Sequence, residues 1–304
     1  MNIENAKTVA LSDILSKIGF EPSKQNDTEA WYYSPFRKEK TPSFKVNLKK
    51  NIWHDFGEGV GGDIINFACV YLEKSNENCT VSDALRFIEN ISGNAPRIAP
   101  VKTGDDGPCD EKLSIISVKK IAHPALIAYL DKRGIQVEFA KPVLDEVRVK
   151  NNKTRNSMFA LGIKNVDGGY DLRNPFFKGC VGPKTISFLR GTIAKPNGLH
   201  IFEGFMDYLS IITDIKKDKL EDDTIILNSL SCIEHATPYI KGYGYKTVWT
   251  YLDNDKAGEK ALKSLDEFFK TEEGLVHRPM NESYREDKDV NAWHMRNLGL
   301  TLEA

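Results

Sequence analysis

The sequence lacks any long hydrophobic run and any paired cysteines. No window of its 304 residues approaches the roughly 18 apolar residues that a membrane-spanning helix needs, and the N-terminus carries Glu4 without the apolar core of a signal peptide. The five cysteines stand singly, with no CxxC pair. This spacing argues against a disulfide framework and an all-cysteine metal site, and it fits reduced thiols. We therefore expect a cytoplasmic protein.

The sequence also has almost no net charge, because charges of opposite sign cancel between segments. The formal net charge is -1, yet residues 113–202 hold 15 basic and 6 acidic side chains, and residues 203–304 hold 13 and 20. The first of these segments is typical of polyanion binding, since cations that neutralise phosphates release counterions. The acidic segment would repel the same polyanion unless its carboxylates hold divalent cations. Chance clustering of charge on solvated faces remains the alternative.

Composition divides the chain into parts. Residues 95–112 contain three prolines and two glycines with no helical or strand periodicity, which predicts a linker. We place an N-terminal module at residues 1–94, a basic α/β subdomain at 113–197 and an α/β domain at 198–304. A capping box is predicted at Thr80, and a hairpin is predicted across Asp167, Gly168 and Gly169. In the last part, predicted strands alternate with predicted helices, one of them at 234–239, which is typical of a mainly parallel sheet. The predicted fold class is multi-domain α+β.

Acidic residues follow two predicted strands of the last part. Glu203 comes directly after Leu199–Phe202, and Asp253 and Asp255 come directly after Lys246–Leu252. Parallel strands bring such residues together at their carboxyl ends, where clustered carboxylates need a counter-charge such as Mg²⁺ or Mn²⁺. Two such ions would support phosphoryl transfer. The candidate metal ligands are Glu203, Asp207, Asp253, Asp255, Asp287 and Asp289.

The order and spacing of these motifs resemble the Toprim domain shared by bacterial primases, topoisomerases and certain nucleases. EGFMDYLSI, from residue 203, is similar to the primase pattern EGYxDxxxL, and YLDNDKAGEKA, from residue 251, is similar to yDxDxAGxxA. DKDVNAW, from residue 287, resembles the late acidic motif. The resemblance implies that Glu203, Asp253 and Asp255 are catalytic residues holding divalent metal, with Asp207, Asp287 and Asp289 in support.

The N-terminal module resembles the zinc ribbon of DnaG-type primases. SPFRKEKTPSF, from residue 34, and WHDFGEGVGGD, from residue 53, are similar to the family patterns CPFHxEKTPSF and CFGCGxGGD except at the zinc ligands. Those four positions hold Ser34, Arg37, Asp55 and Glu58. Arg37 is always charged and cannot bind a cation, so zinc is not expected. We predict instead that Arg37 forms a fork with Asp55 or Glu58, while aromatic packing supplies most of the stability.

Basic residues in predicted turns are the candidate contacts to a polyanion. The middle segment contains YLDKRGI from residue 129, RNSMFAL from residue 155, GGYDLRN from residue 168 and FKGCVGPKTIS from residue 177. These motifs resemble, more loosely, the basic half of the catalytic core in small primases of plasmids and conjugative elements. Arg133 is assigned to closing a helix end. Lys38 and Lys40 of the ribbon, interleaved with aromatics, fit single-strand binding by stacking, with a solvated face as the alternative. The candidates in the middle segment are Arg155, Arg173, Asn174, Lys178 and Lys184.

The resemblance implies a primase-like DNA-directed RNA polymerase from a mobile element or plasmid. Such a nucleotidyltransferase makes short primers on single-stranded DNA from nucleoside triphosphates, with Mg²⁺ or Mn²⁺ as cofactor, and a replicative helicase is a further partner that the resemblance allows. No membrane partner is expected. Two alternatives stay open: a catalytically silent, single-stranded-DNA-binding replication accessory protein, and a Toprim nuclease. The presence of every expected Toprim carboxylate favours an enzyme.

Overall fold

A computed structural model of the chain describes residues 3–74, 79–92, 98–101 and 113–301. The chain forms two compact units, Met1–Pro96 with Pro238–Tyr243, and Arg97–Thr237 with Gly244–Ala304. The linker predicted for residues 95–112 lies outside the described residues, apart from 98–101. Among the described helices, none has the length and apolar character needed to cross a membrane.

The first unit contains an antiparallel sheet of five strands in sequence order, packed against helices. One face of the sheet is apolar, and Tyr32, Phe44, Trp53 and Phe67 form its aromatic core. The capping box predicted at Thr80 is confirmed, since the Asp83 N–H donates to Thr80 Oγ1 at 3.2 Å. The elements are α1 Ile3–Thr8, α2 Leu11–Lys17, β1 Lys24–Gln25, β2 Glu29–Tyr32, β3 Phe44–Asn47, β4 Ile52–Asp55, β5 Val60–Gly62, α3 Ile64–Lys74 and α4 Val81–Ser92.

The second unit begins with another antiparallel sheet. Its strands and helices are β6 Leu113–Lys119, α5 Pro124–Lys132, α6 Val137–Ala140, β7 Leu144–Asn151, β8 Ser157–Lys164, β9 Tyr170–Asn174 and β10 Phe177–Val181. The strand order is β10-β9-β8-β7-β6. The hairpin predicted across Asp167, Gly168 and Gly169 is confirmed, because β8 and β9 pair antiparallel with Leu161 opposite Arg173.

The second unit continues with a mainly parallel sheet, as predicted. Its elements are β11 Ser187–Leu189, β12 Gly198–Phe202, α7 Phe205–Asp214, β13 Asp223–Ile226, β14 Thr247–Tyr251, α9 Lys256–Phe269, β15 Val276–Pro279 and α10 Val290–Asn297. Between β13 and β14 the chain also forms α8, Thr237–Ile240, most of which belongs to the first unit. The strand order is β11-β13-β12-β14-β15, and only β11 runs antiparallel to its neighbour. The helix predicted at 234–239 is instead a 3₁₀ turn over Leu230–Ala236 followed by α8.

One hydrophobic core joins the two sheets of the second unit. Leu130 of α5 and Ile135, which lies between α5 and α6, pack in the same hydrophobic cluster as Phe205 and Tyr208 of α7. The cysteines depart from the expectation of uniformly reduced thiols: Cys180 is disulfide-bonded, whereas Cys69, Cys79 and Cys232 are free. The prediction of reduced thiols is therefore wrong at Cys180, because single spacing in sequence says nothing about proximity in the fold.

Candidate active site

A cleft of about 690 Å³ opens in the second unit at the carboxyl ends of its parallel strands. Acidic and basic side chains both line it. Apart from Asp171 in β9, the acidic ones follow β12 and β14 or precede α10, and most of the basic ones come from the β9–β10 hairpin and its surroundings. The charged lining residues are Arg133, Asp171, Arg173, Lys178, Lys184, Glu203, Asp207, Asp253, Lys288 and Asp289.

Strand register brings the first two carboxylates together. In the parallel pair β12 and β14, Phe202 lies opposite Tyr251, so Glu203 and Asp253 follow at neighbouring strand ends. Glu203 Oε2 accepts a hydrogen bond from the Asp253 N–H at 3.0 Å. Asp207 lies in the first turn of α7 and is 6 % exposed. The two motifs predicted to meet at one sheet edge therefore do meet.

The acidic cluster holds more negative charge than the fold neutralises. Burial, followed by the charge of Asp253, raises the pKa of Glu203 to about 7. Burial, with Asp289 and Asp253 nearby, raises the pKa of Asp207 well above its ordinary value. Burial also raises the pKa of Asp253, although Lys288 Nζ at 3.0 Å opposes that rise. A divalent cation would supply the missing charge, and hard carboxylate oxygens are suitable ligands.

Each carboxylate also has a protein partner. Asp255 caps α9 by accepting from the N–H groups of Ala257 and Gly258, both at 2.9 Å, and Asp289 caps α10. Asp287 pairs with Arg296 at 2.8 Å. Across residues 3–74, 79–92, 98–101 and 113–301, no three acidic, histidine or cysteine side chains form a ready-made metal site. Binding a cation therefore requires the carboxylates to exchange these hydrogen bonds for metal ligation.

Four of the six predicted metal ligands line the cleft, and two do not. Glu203, Asp207, Asp253 and Asp289 are among its lining residues. Asp255 caps α9 and Asp287 pairs with Arg296. Neither side chain lines the cleft. The charge of Asp255 is nevertheless close enough to raise the pKa of Glu203, after the larger effects of burial and Asp253.

Gly258 fixes the loop that carries Asp253 and Asp255. A Cβ atom at this position would lie 2.0 Å from the carbonyl oxygen of Asp253, which is backbone and cannot rotate away. We expect Gly258→Ala to displace the loop and to weaken Mn²⁺ binding by about tenfold to 100-fold, because misplacement of about 1 Å costs that much. Titration calorimetry with Mn²⁺ measures this. The exposed Glu259→Ala variant on the same helix is the control, and equal affinities would contradict the expectation.

A hydrogen-bond chain joins the basic wall to the acidic cluster. Arg173 Nε and Arg133 Nη2 both donate to Tyr129 Oη at 3.3 Å, and Arg133 Nη1 donates to Asn291 Oδ1 at 2.8 Å. The Asn291 N–H then donates to Asp207 Oδ1 at 3.1 Å. Arg133 does end α5, as predicted, but its side chain also lines the cleft. Sequence reasoning named Tyr129 only as the first residue of YLDKRGI and Asn291 only as part of the DKDVNAW motif, with no contact predicted for either.

The predicted polyanion contacts of the middle segment separate into two groups. Arg173, Lys178 and Lys184 line the cleft. Arg155 lies in the β7–β8 turn with a left-handed φ of 64°, and Asn174 donates to the Phe159 carbonyl at 2.8 Å. Arg155 and Asn174 are not among the residues lining the cleft.

A third strand end also reaches the cleft and was missed. Asn228, Ser229 and Leu230 follow β13 and line the cleft beside the carboxylates. Asn228 has a left-handed φ of 62°, and its Nδ2 donates to Ser187 Oγ at 3.0 Å. The rule that selected Glu203, which is position after a parallel strand, would have selected these residues too.

The four zinc-ligand positions of the first unit meet in a hydrogen-bonded cluster. Arg37 Nη1 and Nη2 donate to Asp55 Oδ2 and Oδ1 at 2.7 and 2.8 Å, so the predicted fork is present. Ser34 Oγ donates to Asp55 Oδ2 at 2.7 Å, and Arg37 Nη1 lies 3.7 Å from Glu58 Oε1. Arg37 Nη2 also donates to Glu39, at 2.8 Å, which the ligand pattern did not predict. These side chains do not fit zinc, since a permanent cation occupies one ligand position.

The outer face of the first sheet carries aromatic and basic side chains. Trp31 and Phe56 stack with ring centroids 5.5 Å apart. Lys45 Nζ lies 5.6 Å from the Trp31 ring centroid, and Trp31 and Lys45 are opposite each other in neighbouring strands. Lys38 and Lys40 are exposed on the same unit. The predicted interleaving is thus present only in part: Trp31 and Phe56 lie with Lys45 on this face, whereas Tyr32, Phe44 and Trp53 are buried in the core.

Three protein families match separate segments of the chain. Residues 6–93 match the CHC2 zinc finger family, residues 200–294 match a Toprim-like family, and residues 115–182 match a domain of unknown function. The zinc-finger match thus falls on side chains that do not fit zinc. Together, the first two matches have the order that the sequence motifs indicated.

Curated relatives are DNA primases of modest identity. The DNA primase of Legionella pneumophila is 31% identical over 137 residues, which are 40% of this chain and 22% of the relative. That of Escherichia coli K12 is 26% identical over 245 residues, with 58% of this chain and 40% of the relative covered. The chain thus matches less than half the length of either relative. A structure of the Aquifex aeolicus primase zinc-binding and RNA polymerase domains aligns at a TM-score of 0.37 and 16% identity, covering 98% of this chain and 85% of the other.

Proposed function

We propose that this chain, which has the domain architecture of DnaG-type primases, is a DNA-directed RNA polymerase that makes short primers on single-stranded DNA. Its resemblance to small primases of plasmids and conjugative elements leads us to place it in a mobile element. One observation carries the proposal: the carboxylates after β12 and β14 and the cations of the β9–β10 hairpin line the same cleft. Phosphoryl transfer between a nucleotide and a growing strand needs both.

The acidic residues of the cleft are proposed to hold the divalent metal. Glu203, Asp207, Asp253 and Asp289 would be its ligands, while Asp255 shapes the loop as the cap of α9. When bound, Mg²⁺ or Mn²⁺ supplies electrostatic stabilisation of the phosphoryl oxygens. Burial and the charge of Asp253 raise the pKa of Glu203 to about 7, and a bound cation would relieve this excess of negative charge.

The basic residues of the cleft are proposed to hold phosphates. Arg173, Lys178 and Lys184 line the cleft with the carboxylates, and the Tyr129 hydroxyl positions the Arg173 guanidinium. Positioning of this kind is most of what a protein contributes to phosphoryl transfer. We further propose that the outer face of the first unit, with Trp31 and its neighbouring lysines, contacts the single strand by stacking.

Primer synthesis tests the proposal directly. The chain is incubated with single-stranded DNA, labelled ribonucleotides and Mg²⁺ or Mn²⁺, beside a variant with Asp253→Asn and Asp255→Asn. We expect short products from the native chain and none from the variant, because the variant removes carboxylates on which metal binding depends. The matched control is Asp214→Asn with Asp218→Asn, which alters two exposed carboxylates outside the cleft.

Other outcomes would identify other functions. Template degradation that needs Asp253 and Asp255 would mean a nuclease. Strand binding without any product would mean a replication accessory protein. Products that persist in the carboxylate variant would place the chemistry outside this cleft and overturn the assignment of its residues.

A further inference from the structure

The turn between β9 and β10 exposes a phenylalanine almost completely. Phe176 is 97% exposed, whereas Phe56, the next most exposed large apolar side chain in the described part of the chain, is 57% exposed. Its neighbour Phe177 is half-buried, lines the cleft and packs over Gly179, where an added Cβ would lie 2.7 Å from the Phe177 ring. One aromatic of the pair therefore serves the core and the other points into solvent, where an apolar ring is unfavourable unless a ligand covers it.

The turn holds Phe176 in a fixed position. Asn174 Oδ1 accepts a hydrogen bond from the Phe176 N–H at 2.9 Å, and Asn174 Nδ2 donates to the Phe159 carbonyl at 2.8 Å on the neighbouring strand. Pro175 restricts the backbone between them. The predicted polyanion contact Asn174 thus organises the turn. Because the backbone at Phe176 is held by this hydrogen bond, only its side-chain torsions lose freedom on binding, which favours a role in recognition.

Two cations belong to the same hairpin as the exposed ring. Arg173 and Lys178 lie opposite each other in the β9–β10 ladder, one residue pair below the Asn174 and Phe177 pair that closes the hairpin, and both line the cleft. They belong to the segment with 15 basic and 6 acidic side chains. A ligand that offers anionic groups to two cations and a flat apolar ring to a phenylalanine has the chemistry of an unpaired nucleic acid strand. An acidic peptide supplies the anions without the regularly spaced rings.

We propose that Phe176 is a stacking platform for an unpaired base of the single strand that enters the cleft, while Arg173 and Lys178 contact the phosphates beside that base. The inference rests on the proposed function, since it takes the cleft as a nucleic-acid site. It adds an aromatic residue that is not itself part of the cleft lining but adjoins Phe177, which is. Phe176 acts by binding and takes no part in bond formation.

Binding of the full-length chain to a short single-stranded DNA containing 2-aminopurine tests this without nucleoside triphosphates. We expect Phe176→Ala to weaken binding about 5- to 100-fold, the range seen when one stacking aromatic is removed, and Phe176→Trp to restore it. Tryptophan fluorescence of that variant should fall when the strand binds. Ile193→Ala, which trims another exposed apolar side chain outside the cleft, is the control and should bind like the native chain.

Salt dependence separates stacking from phosphate contact. Phe176→Ala should leave the slope of log affinity against log salt unchanged, because the ring neutralises no phosphate, whereas Lys178→Ala should reduce that slope by about 1. A Phe176→Ala variant that binds within about twofold of the native chain overturns the inference. So does a native chain that self-associates through Phe176, shown by a dimer that the variant cannot form. These experiments measure strand binding and not primer synthesis. Failure of the stacking inference is therefore distinguishable from failure of the proposed function, which the primer-synthesis assay tests.

Discussion

Replacing Arg37 by alanine is expected to lower the free energy of unfolding of the first unit by about 3 kcal/mol, which is typical when one partner of a buried ion pair is removed. The reason is the environment of Asp55, which has no exposed surface. The substitution leaves its carboxylate buried with hydrogen bonds from Ser34 and two backbone N–H groups but without its cation. Arg37 also holds Glu39 and Glu58, so three acidic side chains lose the same partner.

Urea unfolding with hydrogen exchange of the β3 and β4 amides measures the effect on this unit. Lys38→Ala, at the exposed neighbouring position, is the control and should change stability little. Arg37→Lys keeps the charge but loses the two-pronged contact, so it should fall between the native chain and Arg37→Ala. Treatment with a chelator should leave the exchange rates unchanged. Stoichiometric zinc in the purified protein, or native stability in Arg37→Ala, would show that the cluster does not replace the metal.

The same cluster determines how the first unit responds to acid. Burial of Asp55 disfavours its ionised form, but hydrogen bonds from Arg37 and Ser34 outweigh burial and lower its pKa from 3.8 to about 2. A lowered folded-state pKa stabilises the fold above the unfolded pKa, and the contribution disappears as the pH falls through the folded value. The contribution of Asp55 is therefore expected at neutral pH and should be lost between about pH 4 and pH 2.

The sequence predicted which acidic residues follow parallel strands, but it did not predict the direction in which each side chain points. Glu203 and Asp253 follow strands whose parallel pairing is indicated by the alternation of strands and helices, so their meeting could be predicted. Motif spacing does not say which way a side chain turns, and Asp255 and Asp287 turn to a helix cap and to Arg296. The fork of Arg37 was predictable because the zinc-ligand positions of the resembling family converge by definition.

Contacts between distant parts of the chain could not be predicted. Asn291 contacts Asp207 across 84 residues of sequence and Arg133 across 158, and no local pattern encodes such pairs. The Cys180 disulfide is a similar case, since isolated cysteines give no spacing to interpret. The 3₁₀ turn over Leu230–Ala236 replaced part of a predicted helix because apolar spacing at three and four residues fits both structures.

Glu203→Gln is expected to stabilise the metal-free second unit at alkaline pH while it abolishes activity. Burial and the neighbouring Asp253 raise the pKa of Glu203 from 4.5 to about 7. Below the unfolded pKa, both states carry the proton and Glu203 has no effect. Between the two values only the unfolded chain ionises, so stability falls as the pH rises, and above about pH 7 the full penalty is present. That penalty is about 3 kcal/mol for a pKa raised this far.

Glutamine at position 203 removes the negative charge and keeps a carbonyl oxygen that accepts the hydrogen bond from the Asp253 N–H, as Glu203 does. The variant should therefore unfold like the native chain near pH 4 and be more stable by about 3 kcal/mol near pH 8. Relief of the repulsion on Asp207, whose pKa Glu203 also raises after burial, Asp289 and Asp253, adds to the gain. Thermal and urea unfolding without metal, at both pH values, measure it. Glu259→Gln, an exposed acid on α9, should show no such difference.

Metal and activity complete the test. Mg²⁺ should raise the melting temperature of the native chain near pH 8 and affect the variant less, because the cation relieves the repulsion that the substitution has already reduced. Primer synthesis by the variant should fall by about 100-fold or more, as expected when charge stabilisation of the reacting group is lost. Substituting a residue that only stabilises the fold would lower the free energy of unfolding of the protein. Substituting a charged group that is kept for metal binding should raise it in the absence of metal. Equal stability of variant and native chain at both pH values would contradict the assignment of Glu203 to the metal site.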